Sequence, residues 1–228
     1  MSERRAIEQY WRGLTLRHEL FGAAGAKATV ILFPTVMGIS DLERGFANRL
    51  AGLGYAGMVA DLYGRRFTPA ERAQAFAAMG ALRDDRAALR ELLLTVLDAA
   101  ETSQVAAIGF CFGGQCALDL ARSGAEIAGV ASFHGLFDPP GLPAQPITAK
   151  VAAYHGWDDP MVPPQAVVAL GDELTAAGCD WQIHAYGHVG HGFTNPAADG
   201  STPGVRFDEV AARRSWAACD AFLAELFG

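Results

Sequence analysis

Short apolar runs alternate with stretches of helical spacing along all 228 residues of the chain. Residues 27–34 form a continuous apolar run of strand length, as expected of a central strand buried on both faces. Residues 55–62, 104–108, 127–133, 151–155 and 181–186 read as further strands, and 14–20 alternates enough to be an outer one. Helical patterns fall at 41–53, 115–122, 163–177 and 205–226, and Ser40 or Asp41 is placed to cap the first. Thr68-Pro69-Ala70-Glu71 joins a capping residue, a proline at the first helical position and an acid. It opens a long Ala-rich helical region to about Glu101, broken near Gly80 or Asp84. Residues 1–13 are expected to form a short helix at the edge, 21–26 a turn, and 35–40 and 139–146 loops.

Strands alternating with helices predict an α/β fold: a mostly parallel, doubly wound sheet of about seven or eight strands with helices on both faces. No repeat, low-complexity tract or linker divides the sequence, so one domain is expected over 1–228. A formal charge of −7 argues against nucleic acid or an anionic membrane as the main partner. No stretch approaches the apolar length that spans a bilayer, and the N-terminus lacks the apolar core of a secretory signal. Cys111, Cys116, Cys179 and Cys219 are widely spread, with no CxxC pair or metal spacing. Free thiols and no metal or other cofactor are therefore expected, in a cytoplasmic protein that is a monomer or homodimer.

The chemistry gathers at Gly109-Phe110-Cys111-Phe112-Gly113-Gly114, between the strand at 104–108 and the helix at 115–122. A strand that turns straight into a helix through this spacing has the pattern of a nucleophile elbow. The glycines leave room for a strained apex, and the turn lifts Cys111 above the carboxyl edge of the sheet. Free N–H groups at the helix start favour negative charge there and make the cysteine a better thiolate. In a doubly wound sheet, ligands meet the carboxyl ends of the strands. Those ends also carry Gly156-Trp157-Asp158-Asp159-Pro160-Met161-Val162-Pro163 and Gly187-His188-Val189-Gly190-His191-Gly192-Phe193. Nucleophile, acid, histidine is the chain order of the α/β-hydrolase triad. Asp158 competes with Asp159 for the acid, and His188 with His191 for the base. His134 and His155 end strands and read as packing residues, His18 and His184 as strand surface, and Cys116 as a core residue.

Taken together, Gly-Phe-Cys-Phe-Gly-Gly, Gly-Trp-Asp-Asp-Pro-Met-Val-Pro and His-Gly-Phe resemble the matching blocks of the dienelactone hydrolase family. The resemblance extends to Asp61-Leu62-Tyr63 and the loop containing Gly38, and so covers essentially the whole chain. It implies a Cys-Asp-His triad that opens an enol lactone by way of an acyl-enzyme. Carried over by position, Cys111 is the nucleophile, His191 the base and later acid, and Asp159 its orienter. The oxyanion donors fall on the backbone N–H groups of Phe112 and Val36.

Two departures from the family bear on substrate. The family's glutamate in the loop after the second strand is replaced by Thr35, which cannot titrate, so Cys111 is expected to rest as an ion pair with His191. Of two arginines that grip the substrate carboxylate, one is replaced by Asn195 and the other corresponds loosely to Arg72. Arg65 and Arg66 read as a solvated surface pair, while Met37, Phe112, Trp157 and Phe193 suit a less anionic substrate. The expected partner is a small ester or lactone, with Thr35, Arg72, Trp157, Phe193 and Asn195 as candidate contacts and 64–84 as a candidate lid. Two rival readings are a non-catalytic protein of the same fold that binds a small ligand or partner, and a thiol-redox protein using Cys111 and Cys116.

Overall fold

The computed structural model describes residues 4–23 and 25–228. Residues 1–3 and Ala24, which belong to the expected edge helix and the following turn, lie outside the described residues. The strands are β1 (Arg4–Trp11), β2 (Leu14–Phe21), β3 (Thr29–Phe33), β4 (Ala56–Val59), β5 (Val105–Phe110), β6 (Gly129–Phe133), β7 (Lys150–Gly156) and β8 (Trp181–Tyr186). They form one eight-stranded sheet in the order β1-β2-β4-β3-β5-β6-β7-β8. From β4 to β8 every neighbouring pair is parallel, and β2 joins antiparallel to both β1 and β4. The helices are α1 (Asp41–Gly52), α2 (Arg72–Asp84), α3 (Arg86–Leu97), α4 (Phe112–Arg122), α5 (Pro164–Ala176) and α6 (Glu209–Phe227).

The period of two along the central strands divides the interior into two cores. Ile31, Phe33 and Ala107 face a core closed by α3, α4 and α5, whereas Val30, Leu32, Ile108 and Phe110 face one closed by α1 and α6. Helix α4 is buried along all its residues, because it lies over the middle of the sheet with neighbours on either side. No helix among the described residues is long and apolar enough to cross a membrane.

The expected edge helix is replaced by a strand. β1 pairs with β2 residue for residue, from Arg4 opposite Phe21 to Trp11 opposite Leu14. Arg12 (φ 45°) and Gly13 (φ 86°) make the two-residue turn with positive φ at both positions that matches strand twist. His18 is also corrected: it is fully buried, not on the surface. Its Nδ1 accepts the Asp61 N–H at 2.9 Å, so Nε2 carries the proton and donates to Gln9 Oε1 at 2.9 Å. His184 is half-buried rather than exposed, with Nε2 3.0 Å from Gln182 Oε1. The long helical region breaks at Asp85, whose side chain accepts the Ala88 N–H and starts α3 afresh, while Gly80 stays inside α2. The last helix begins at Glu209, because Val205 is held in a bridge to His191 and Asp208 supplies the cap.

Candidate active site

Cys111 stands at the junction of β5 and α4 with φ 57° and ψ −118°, a left-handed conformation that strains a residue with a side chain. The backbone around it is packed too closely for side chains. A Cβ on Gly109 would lie 1.9 Å from the Gly113 carbonyl oxygen, and one on Gly113 would lie 2.0 Å from that of Phe33. A Cβ on Gly114 would come 2.6 Å from the Cα of Gly135. The Cys111 N–H donates to Phe133 O, and its carbonyl accepts from Gly114 and Gln115, so both sides of the apex are tied. The thiol is half-buried. Phe112 opens the helix, where N–H groups have no partner within the helix.

The histidine and acid arrive on separate loops. Asp159, just after β7, is 2 % exposed; His191, after β8, is 4 % exposed. His191 Nδ1 donates to Asp159 Oδ2 at 2.7 Å, and Asp159 Oδ1 accepts the Met161 N–H at 2.8 Å. Asp158 and His188 are instead exposed and meet each other at 3.6 Å. The His191 backbone is pinned on both sides, its N–H to Gly204 O and its carbonyl by the Arg206 N–H. Gly190 permits this approach, since its Cβ would fall 2.3 Å from Gly204 O.

His191 Nε2 is buried without a formed hydrogen bond, and Cys111 is close enough to act on it electrostatically. Burial alone pushes the imidazole down, but the Asp159 hydrogen bond and the neighbouring sulfur outweigh it, and its pKa is pushed up to about 10. The site can therefore hold an imidazolium beside the Cys111 sulfur.

Other buried imidazoles surround this pair. His134 (φ 38°) lies edge-on to His191 with centroids 5.1 Å apart and shares a 2.8 Å hydrogen bond between its Nε2 and Thr194 Oγ1. His155 donates from Nε2 to Val162 O at 3.0 Å. Burial pushes His134 well below its ordinary value and lowers His155 too, with the His191 charge acting in the same direction. They frame His191 without competing for its proton.

The candidate contacts separate. Thr35 and Val36 lie in the loop after β3, and that loop abuts the first turn of α4, as the crowding of Gly113 against Phe33 and Pro34 records. Trp157 is 41 % exposed on the loop that carries Asp159, beside exposed Met161. Phe193 is corrected to a core residue: it is fully buried, edge-on to His134 and Tyr186. Asn195 is a turn residue, its Oδ1 accepting the Ala197 N–H. Arg72 is exposed at the start of α2 over the ring of Phe76. Arg65 and Arg66 are engaged by Glu71 and by Asp61 with Glu19. Cys116 is fully buried and burial raises its pKa, which makes it a poor redox partner for Cys111.

Sequence reasoning overlooked Glu43, which is fully buried and accepts hydrogen bonds from Thr35 and Ser40. Its signal was the Ser40-x-x-Glu43 capping box. A cavity of about 650 Å³ between the 139–146 loop and α5 includes none of Cys111, Asp159 or His191. No group of three or more metal-ligating side chains occurs among the described residues.

A profile of the Dienelactone hydrolase family matches residues 17–227. The chain belongs to the dienelactone hydrolase family. Two solved structures agree over its full length. The structure of m3DLH is 36% identical with a TM-score of 0.88, and each chain is covered to 99%. A dienelactone hydrolase-like promiscuous phosphotriesterase from metagenomic libraries is 32% identical with a TM-score of 0.89, again at 99% coverage of both chains. A putative carboxymethylenebutenolidase of Synechocystis is 27% identical over 191 residues, 75% of this chain and 77% of that one.

Proposed function

We propose that this dienelactone hydrolase family member cleaves small esters or lactones through a cysteine acyl-enzyme. Cys111 is the nucleophile, His191 the general base and then acid, and Asp159 the residue that orients His191. The observation that carries this reading is the buried 2.7 Å His191–Asp159 hydrogen bond, with Nε2 left free beside a thiol at a strained elbow.

The first half-reaction starts with the thiol proton already on Nε2, and the thiolate adds to the substrate carbonyl carbon. The carbonyl electrons move to oxygen, and the N–H groups of Phe112 and Val36 donate to it. Collapse expels the alkoxide, which takes the proton from His191 and leaves a thioester on Cys111. In the second half His191 removes a proton from water, the hydroxide adds to the thioester carbon, and the tetrahedral species expels the thiolate. From a lactone the product is one hydroxy acid. The raised pKa of His191 favours a thiolate–imidazolium pair at rest, and Thr35 offers no titratable group to oppose it. Acylation removes the sulfur charge that helps raise the ring, so His191 gives up its proton more readily and is free to take one from water in the second half.

Arg65 and Arg66 are committed to ion pairs and Asn195 to a turn, whereas Trp157 and Met161 are exposed near Asp159. This supports uncharged, partly apolar acyl groups over a substrate that must be gripped by its own carboxylate. The four free thiols suit a reducing cytoplasm.

The test is a burst assay with p-nitrophenyl acetate on wild type and Cys111→Ala, followed by intact-protein mass spectrometry. An acetyl group on Cys111 that vanishes in the variant is the expected result. No adduct and equal background rates would leave a non-catalytic binding protein on a hydrolase scaffold. Alkylation of Cys111 that follows the pH profile of an ordinary free thiol would sink the resting ion pair.

A further inference from the structure

The loop after β3 is tied from behind by a carboxylate that the triad does not use. Glu43 is fully buried in the first turn of α1, and no Lys, Arg or His pairs with it in the ion pairs of the described residues. Its Oε1 accepts from the N–H and the hydroxyl of Thr35, both at 3.2 Å. Its Oε2 accepts from the N–H of Ser40 at 3.0 Å and, over a short bond, from the Ser40 hydroxyl. Four donors converge on the four acceptor positions that an ionised carboxylate offers, and a buried anion needs that many when no cation is present.

A capping box requires only the Ser40 half of this arrangement. The Thr35 half reaches eight residues back along the chain and fastens the residue next to Val36. The loop is therefore held at both ends by one side chain. Its middle is braced as well: the Gly38 N–H donates to Thr35 O, and Gly38 (φ 73°) packs so closely on Tyr63 that a Cβ would lie 3.2 Å from the ring. An oxyanion donor works only when its position is fixed before charge develops, and displacement by a fraction of an ångström weakens it.

Resting on the reading of Val36 as an oxyanion donor, we infer that Glu43 is a positioning residue that clamps the Thr35–Ser40 loop and so presets the Val36 N–H for the oxyanion of an ester or lactone. In this family member the loop thus contains no glutamate of its own but depends on one supplied by the following helix. The acceptor positions of that carboxylate are taken up by the Thr35 and Ser40 donors.

Glu43→Gln tests this, because the amide keeps the shape but turns one acceptor oxygen into an NH2 group facing N–H or O–H donors. Two rates are measured on the same protein: acylation by p-nitrophenyl acetate, which builds an oxyanion, and alkylation of Cys111 by iodoacetamide, which does not. The expected result is acylation slowed at least about tenfold with KM within about threefold, and alkylation within about twofold of wild type. Acylation at the wild-type rate, or alkylation falling in parallel with it, overturns the inference. If Glu43→Gln does not fold, Ser40→Ala removes one of the four donors and is expected to give the same split at smaller amplitude; equal effects on both rates there overturn it too. A wild type that alkylates but takes no acyl group removes the oxyanion chemistry itself, and the inference falls with the hydrolase reading rather than by the variant.

Discussion

The hairpin end of the sheet and its active-site edge each bury a histidine against an aspartate, and the two histidines shift in opposite directions. His18 and Asp61 are 0 % and 2 % exposed, His191 and Asp159 4 % and 2 %. His18 falls to about 4, chiefly through burial, while His191 rises to about 10. The difference lies in which atom of the aspartate meets the ring. Asp61 presents its backbone N–H to His18 Nδ1, which demands an unprotonated nitrogen, and spends its carboxylate on Arg66, Tyr63 N, Gly64 N and Arg17 N. Asp159 presents a carboxylate oxygen, which demands a proton on Nδ1 and rewards a charged ring. Burial is common to both; the acceptor character of Asp159, together with the Cys111 sulfur, lifts His191 where His18 has no such support.

The same substitution at the two aspartates should therefore give opposite profiles. Asp159→Asn preserves volume but replaces the acceptor that fixes the His191 tautomer, and acylation of Cys111 should slow by about 10²–10⁴-fold. Asp61→Asn should leave acylation within about threefold, because no reacting atom touches it. It should instead destabilise the fold by about 2 kcal/mol, since a buried carboxylate bonded to Arg66 and three backbone N–H groups loses part of that network. Burst kinetics and urea unfolding on both variants measure the contrast. Comparable losses of activity at the two sites would break it.

How much of this was legible in the sequence depended on whether the signal was local. The elbow was readable because strain at Cys111 requires small neighbours, and Gly109, Gly113 and Gly114 are such neighbours in the sequence itself. The central strands were readable because burial on both faces leaves an unbroken apolar run. Asp159 and His191 could be separated from Asp158 and His188 only by resemblance, since spacing alone does not say which carboxylate turns inward. The edge was misread because β1 is half exposed and carries charges at Arg4, Arg5 and Glu8, so its strand character comes from pairing with β2. His18 was misjudged for the same reason: its neighbours in space, Gln9 and Asp61, lie nine and 43 residues away. Phe193 and Asn195 sit next to the histidine in sequence, yet the turn at Gly192 (φ 68°) sends one into the core and the other into its own hydrogen-bonded turn.

The opposite shifts also predict opposite pH limbs of stability. His18 binds its proton less tightly in the fold than in the unfolded chain. Its contribution is complete above its ordinary value of 6.5 and is lost as pH falls from there toward 4, by up to about 3 kcal/mol at ~1.4 kcal/mol per unit. His134 and His155, lowered by burial, act in the same direction. His191 binds its proton more tightly in the fold, so its contribution is complete below 6.5 and fades as pH rises toward 10. Urea midpoints measured from pH 4 to pH 10 should peak near neutrality. His18→Gln should flatten the acid limb only in part and leave the alkaline limb unchanged, whereas an acid limb as steep as in wild type would remove His18 from the account.

The smallest effect is expected where an aspartate and a histidine meet without burial. His188 is 99 % exposed and Asp158 54 %, with 3.6 Å between Nδ1 and Oδ2. At such a surface, water and salt screen the attraction, and neither side chain gains from holding one geometry. The backbone of His188 has φ 64°, so the residue serves the turn that leads into Val189 and Gly190, and its ring is free of that duty. His188→Asn, which tolerates the same left-handed backbone, and Asp158→Asn should each leave acylation within about twofold and the urea midpoint unchanged. A large loss of acylation in His188→Asn would show that residues adjacent to the triad reach the substrate, and that exposure does not separate the working pair from its neighbours.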